Sequence, residues 1–138
     1  MIERPLSEIA AAVRGTLRGP DAVVSAVGID SRAVGPGSLF VAISGERVDG
    51  HDFVADAFER GAVAAVVHRP EIAGPVIEVP DTGRALRDLA ADERGRMRGA
   101  RVVGITGSNG KTSSKDLAAA VVGTRLRTHA SPASFNNE

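Results

Sequence analysis

SLFVAISGERVDGHDFVADAFERGAVAAVVH, residues 38–68, decides the fold class. Its first seven residues, 38–44, read as a strand. The period then changes. Over residues 50–61, Phe53, Val54, Ala57 and Phe58 recur at helical spacing, and Gly61 closes the segment. Asp49 is placed to cap this helix over residues 51–60, with His51 exposed; that reading is preferred to a metal site built on DGHD, residues 49–52. Residues 62–68 return to an unbroken apolar run, the pattern of a strand buried on both faces. Strand, helix and strand in succession predict an α/β fold.

The same alternation continues on both sides. Towards the amino terminus, the GPG turn at 35–37 follows a strand over residues 22–31, AVVSAVGIDS. Ahead of that, Leu6, Ile9, Ala10 and Val13 share a helical face in a segment stopped by Gly15. Towards the carboxyl terminus, PVIEVP at 75–80 is a short strand. Asp81 or Thr82 then caps a helix whose face is Leu86, Leu89, Ala90 and Met97. RGRMRGAR, residues 94–101, holds two glycines and few apolar side chains and marks a boundary. The expected organisation is one domain over 1–98 and the opening of another over 99–138. The second part begins with a buried strand at 100–106 and continues through a Gly-rich loop into a helix. A strand, loop and helix cannot bury both faces of the strand by themselves, so a larger domain is expected to follow.

Composition excludes several classes of function. The chain has 138 residues, is 43% hydrophobic and 25% charged, and carries a formal net charge of zero, so no global field holds nucleic acid or an anionic membrane. The arginines of 94–101 share their helix with Asp88, Asp92 and Glu93, and no aromatic residue is interleaved for base stacking, which makes them a solvated helix end. With no cysteine there is no disulfide, thiolate metal site or Cys nucleophile. The first residues lack the pattern of a signal peptide, and no apolar stretch approaches the roughly 20 residues of a spanning helix. A cytoplasmic setting is expected.

Lysine is the informative residue. Lys111 and Lys115 are the only two in the chain, against 15 arginines, and both lie in GITGSNGKTSSKD, residues 104–116. The loop falls between an apolar run and a helix, which is the context of a phosphate loop. Gly107 and Gly110 permit close approach of backbone to ligand, and the helix start favours an anion. Lys111 supplies a compact charge that reaches β- and γ-phosphates, and the Thr112 hydroxyl can ligate Mg²⁺. A surface role and a role near polyphosphate remain open for Lys115. The general phosphate-loop pattern places glycine where this chain has Ile105. That departure, with the lack of any guanine-specifying motif, speaks against a GTPase or kinase.

TGSNGKT, residues 106–112, resembles the phosphate loop of the Mur ligases and their folylpolyglutamate synthase relatives. Residues 30–67 are similar to the family's amino-terminal domain in their DSR, PGSLFVA, GERVDGHDF and GA segments. SFNNE, residues 134–138, is similar to the branch that joins D-alanyl-D-alanine to UDP-N-acetylmuramoyl-tripeptide, rather than the branch that adds the third amino acid. The resemblance implies a monomeric ligase using ATP and Mg²⁺, with an amino-terminal domain for the UDP-sugar end of its substrate and a central ATP-binding domain. By motif match it assigns ATP to Gly107, Ser108, Asn109, Gly110, Lys111, Thr112 and Ser113, with Lys111 catalytic and Thr112 on the metal. It assigns the UDP-sugar to Ser31, Arg32, Glu46, Arg47 and Val48, and places Asn136 and Asn137 near substrate. Read from the residues alone, the alternative is that Asp30 and Arg32 simply pin a turn by hydrogen bonds and an ion pair. A stand-alone UDP-sugar-binding module is the alternative from a different functional class.

Overall fold

The computed structural model describes residues 3–45 and 48–131. These divide into two compact units at Arg98/Gly99.

In the first unit the elements run β1 (Arg4–Pro5), α1 (Leu6–Val13), β2 (Thr16–Arg18), β3 (Val23–Val24), β4 (Ala26–Gly28), β5 (Ser38–Val41), α2 (Val54–Glu59), β6 (Ala62–Val67), β7 (Val76–Glu78) and α3 (Thr82–Arg96), with 3₁₀ turns at Ser31–Ala33 and Gly50–Phe53. Five strands form one sheet in the order β2-β7-β6-β5-β4. The four from β4 to β7 are parallel, and β2 lies antiparallel on the β7 edge. β1 and β3 make a separate antiparallel pair.

The apolar runs are continuous because both faces of the parallel strands are covered. Leu39 and Val41 of β5, Ala64 and Val66 of β6 and Ile77 of β7 pack with Leu6, Ile9, Ala10 and Val13 of α1 and with Ala85 and Leu89 of α3. The alternate residues Phe40, Ala65, Val67 and Val76 pack with Val54 and Ala57 of α2 on the other face. Period-two alternation along each strand thus feeds two cores at once.

Several sequence expectations need correction. AVVSAVGIDS is two strands in two sheets, with DSR in a 3₁₀ turn; Ser25 N–H bonds the Gly37 carbonyl at 2.9 Å between them. Phe53 is exposed, because the 50–53 segment is a 3₁₀ turn and its side chain misses the α2 face. Ala90 and Met97 are exposed as well; α3 turns Thr82, Ala85, Leu89 and Glu93 inward. Asp81 does cap α3, its carboxylate accepting Arg84 N–H at 2.8 Å.

α1 ends on Arg14 rather than on the glycine after it. Arg14 takes the left-handed conformation at φ 55°, and Gly15 N–H bonds the Ala10 carbonyl at 2.8 Å. Gly15 serves close approach instead: a Cβ there would lie 2.6 Å from Ile77 Cγ2. Left-handed backbone is unfavourable for a residue with a Cβ, whereas glycine adopts it at the cost of a more flexible unfolded chain. Arg14→Gly is therefore expected to raise stability by about 0.5–1 kcal/mol, read as a melting temperature several degrees higher. A lower melting temperature would show that the Arg14 side chain contributes more than its backbone costs.

The second unit contains α4 (Lys111–Gly123). Residues 100–106 form no strand, and Val102 and Val103 are exposed. The apolar pattern is that of a buried strand, but no strand partner for it lies among the described residues, and a lone strand leaves its backbone groups unpaired. Among the described residues, no helix is long and apolar enough to cross a membrane.

Candidate functional site

Parallel strands deliver their carboxyl ends to one edge of a sheet, where open α/β sheets bind ligands. Here that edge gathers residues 29–32 after β4, 42–45 and 48–49 after β5, 68–69 after β6 and 79–82 after β7. Ser31, Arg32 and Val48 therefore lie on neighbouring loops of the same edge. A cleft of about 300 Å³ opens at this edge over the ends of β5, β6 and β7, lined by Ile43, Ser44, His68, Pro80, Asp81, Thr82 and Gly83.

Each loop has its own internal scaffold. Asp30 accepts Arg32 N–H at 3.0 Å and Arg32 Nε at 2.9 Å on Oδ1, and Arg32 Nη2 at 2.8 Å on Oδ2. The hydrogen bonds from Arg32 lower the Asp30 carboxyl to about 2. Asp30 and Arg32 do pin the 3₁₀ turn, yet the Arg32 side chain stays 81% exposed. Its Nη1 is left available to an anion. Ser31 is buried, and its hydroxyl is the first cause of the lowered carboxyl of Asp56 on α2. A hydroxyl oxygen carries two lone pairs, so Ser31 can accept from a donor.

The described ends of the 43–50 segment bond each other. Ser44 pairs with Asp49, Gly45 N–H bonds the Val48 carbonyl at 2.9 Å, and Gly50 N–H bonds the Ile43 carbonyl at 2.9 Å. Val48 is exposed. Glu46, Arg47, Asn136 and Asn137 lie outside the described residues. The Asp49 cap forms, but on the 3₁₀ turn, with His51 N–H at 2.9 Å. His51 itself is buried, contrary to the sequence expectation, because both its ring nitrogens find partners. Arg69, which pairs with Asp49, escaped the sequence reading altogether: nothing local links two residues 20 positions apart.

In the second unit, α4 starts on Gly110, which is left-handed at φ 75° and offers no side-chain cap. The helix thus presents its amino-terminal dipole with no carboxylate or hydroxyl from the capping position. Lys111 Nζ bonds the Gly107 carbonyl at 2.8 Å, which brings the ammonium back over the loop. An uncapped helix start and a cation above it fit a phosphate group. Lys115 turns elsewhere: its Nζ bonds the Ser131 carbonyl at 2.6 Å and pairs with Asp116 at 3.1 Å, tying the segment after α4 to the helix.

The first unit is thus an α/β domain with loops gathered at one sheet edge, and the second holds a glycine-bounded lysine loop ahead of α4. The family model described as Mur ligase family, catalytic domain, matches residues 23–106, and the chain belongs to that family. The chain is 44% identical to the UDP-N-acetylmuramoyl-tripeptide–D-alanyl-D-alanine ligase of Bacillus subtilis over 99% of its own length and 31% of that relative. A crystal structure of MurF from Acinetobacter baumannii superposes with a TM-score of 0.81 at 30% identity, covering 91% of this chain and 29% of that one. MurF ligase from Thermotoga maritima, in complex with ADP, gives a TM-score of 0.65 at 33% identity, covering 74% of this chain and 24% of that one. The chain thus spans about a third of the length of the curated relative it matches.

Proposed function

We propose that this chain is the amino-terminal portion of an ATP-dependent UDP-N-acetylmuramoyl-tripeptide–D-alanyl-D-alanine ligase, a cytoplasmic monomer of peptidoglycan precursor synthesis. The observation that carries the reading is 44% identity across 99% of the chain to a ligase of that name. Residues 1–98 hold the UDP-sugar end of the substrate through Ser31, Arg32 and the loop of Glu46, Arg47 and Val48. Residues 99–138 open the ATP-binding domain. Gly107, Ser108, Asn109, Gly110, Lys111, Thr112 and Ser113 hold the nucleotide, Thr112 reaches Mg²⁺, and Asn136 and Asn137 approach the substrate.

In the reaction a terminal peptide carboxylate oxygen takes the γ-phosphoryl group of ATP, the bond from that phosphorus to the bridging oxygen breaks, and ADP leaves an acyl phosphate behind. The amine of D-alanyl-D-alanine attacks it, and the tetrahedral intermediate collapses to the amide with loss of phosphate. The residues of this chain contribute positioning and charge. The α4 amino terminus and the Lys111 ammonium neutralise phosphoryl oxygens, and the 30–32 turn keeps one guanidinium edge for the anionic linker of the nucleotide sugar.

The test is a titration of UDP-N-acetylmuramoyl-tripeptide into the isotopically labelled 138-residue chain. Amide shifts are expected at residues 29–32 and 44–49, with weak affinity because only part of the ligand is enclosed. Ser31→Ala should remove them. A folded spectrum that does not change at millimolar ligand would move nucleotide-sugar recognition away from this edge.

A further inference from the structure

We propose that Asp49, His51 and Arg69 form a clamp that sets the two ends of the 44–49 segment, Ser44–Gly45 and Val48–Asp49, in place before ligand arrives, making them positioning residues of the nucleotide-sugar site. The inference rests on the reading of that loop as part of the site. His51 is its centre. The side chain is wholly buried, and Nε2 accepts the His68 backbone N–H at 3.1 Å. A nitrogen that accepts carries no proton, so the proton of the neutral ring sits on Nδ1 and is donated to Asp49 Oδ1 at 2.6 Å. One neutral tautomer is therefore locked between the base of the loop and the end of β6.

Asp49 collects the remaining bonds. The same Oδ1 accepts His51 N–H at 2.9 Å and the Ser44 hydroxyl at 3.1 Å, and Oδ2 is paired with Arg69. The backbone N–H and the ring of His51 hold this carboxyl well below the usual range. Below the carboxylate, Gly50 lets two backbone segments touch: a Cβ there would lie 2.6 Å from Ile43 N. Every one of these contacts converges on the base of the loop between Ser44 and Asp49. The apolar core of Ala42, Val54 and Val67 packs underneath without them. Ordering backbone on binding costs affinity, and loop ends already fixed by groups rooted in the sheet avoid that part of the cost.

The test combines hydrogen exchange with a UDP titration on the 138-residue chain. In Asp49→Ala, the Gly45 and Gly50 amides are expected to exchange at least about tenfold faster, while Phe40 and Val66 amides in the sheet change little. UDP should bind about tenfold more weakly. Arg69→Ala should move both readouts in the same direction, and Arg69→Lys should restore most of the loss. Long-range ¹H–¹⁵N spectra should show His51 protonated on Nδ1 alone. Unchanged exchange at Gly45 and Gly50, or a His51 proton on Nε2, overturns the clamp. Faster exchange with unchanged UDP affinity overturns the positioning role, while wild-type shifts at Ser31 still support the nucleotide-sugar reading. A wild-type chain with no UDP shifts sinks that reading itself, and the positioning role falls with it.

Discussion

Arg4→Ala should destabilise the first unit by about 3–5 kcal/mol, the usual result of removing one partner from a buried ion pair. Arg4 is 2% exposed, and its Nη1 donates to Glu93 Oε1 at 2.8 Å and to Asp92 Oδ2 at 2.7 Å. Its Nη2 reaches the Glu8 carbonyl at 3.4 Å. Glu93 is itself buried, so truncating Arg4 takes a charge-assisted bond from a carboxylate in a poorly hydrated place. Arg96 does not compensate, because its bonds go to Asp92 at 2.8 Å and Glu8 at 3.2 Å. These contacts join β1, α1 and the last turns of α3, so the loss falls on the whole packing of the helical face. A domain of this size has only about 5–15 kcal/mol in total, so urea unfolding should show a much lower midpoint with little change in slope. Arg4→Met combined with Glu93→Leu removes both charges and should recover at least half of the loss. A single variant within about 1 kcal/mol of wild type would mean that Glu93 is solvated well enough to do without Arg4.

Acid should weaken the same cluster. The Asp92 carboxyl is lowered, first by the hydrogen bond from Arg96. A depressed carboxylate contributes its full stabilisation above its unfolded value near 4, and the contribution fades as pH falls through the folded value.

What the sequence showed and what it hid follow from the range of the forces involved. β5 and β6 were legible because strands buried on both faces must be apolar at every position, and 38–41 and 62–67 are so nearly without exception. The Asp81 cap was legible because its bond to Arg84 N–H is three residues long. β2 was not: TLR has no apolar pattern, and its place at the sheet edge comes from pairing with Val76, Ile77 and Glu78 far along the chain. His51 was misread for the same reason. A histidine among Asp and Gly reads as surface, and its burial needs a second partner beyond Asp49, the His68 N–H 17 positions away. The strand expected at 100–106 failed in the opposite sense. Its local pattern is strong, but a buried strand is defined by neighbours, and none is present among the described residues. In the candidate site, DSR and the lysine loop carried local signatures. Arg69 and the cleft residues His68 and Thr82 did not, because only the parallel sheet brings them to one edge.

In the full-length ligase proposed above, Lys111→Ala is expected to lower kcat with ATP by at least about 100-fold, equivalent to about 2.7 kcal/mol of barrier. The charge sits at the first residue of α4, directly after a glycine that caps with no side chain, so no neighbouring group at the capping position substitutes for it. Its Nζ lies 2.8 Å from the Gly107 carbonyl, which sets how far the ammonium must reach within the loop. Lys115 cannot stand in, since its own Nζ is held by Ser131 and Asp116. Lys111→Arg should not restore the rate. A guanidinium is longer, planar and forked, and it cannot place one compact charge over the loop as an ammonium does. The KM for the nucleotide sugar should stay near wild type in both variants, because Ser31, Arg32 and Val48 belong to the other unit and keep their contacts. Steady-state rates with ATP varied at saturating UDP-N-acetylmuramoyl-tripeptide and D-alanyl-D-alanine provide the measurement. An Arg variant within about tenfold of wild type, roughly 1.4 kcal/mol, would remove the phosphate role from Lys111. The loop would then act through its backbone N–H groups and the α4 dipole alone, and the rarity of lysine in this chain would need a different cause.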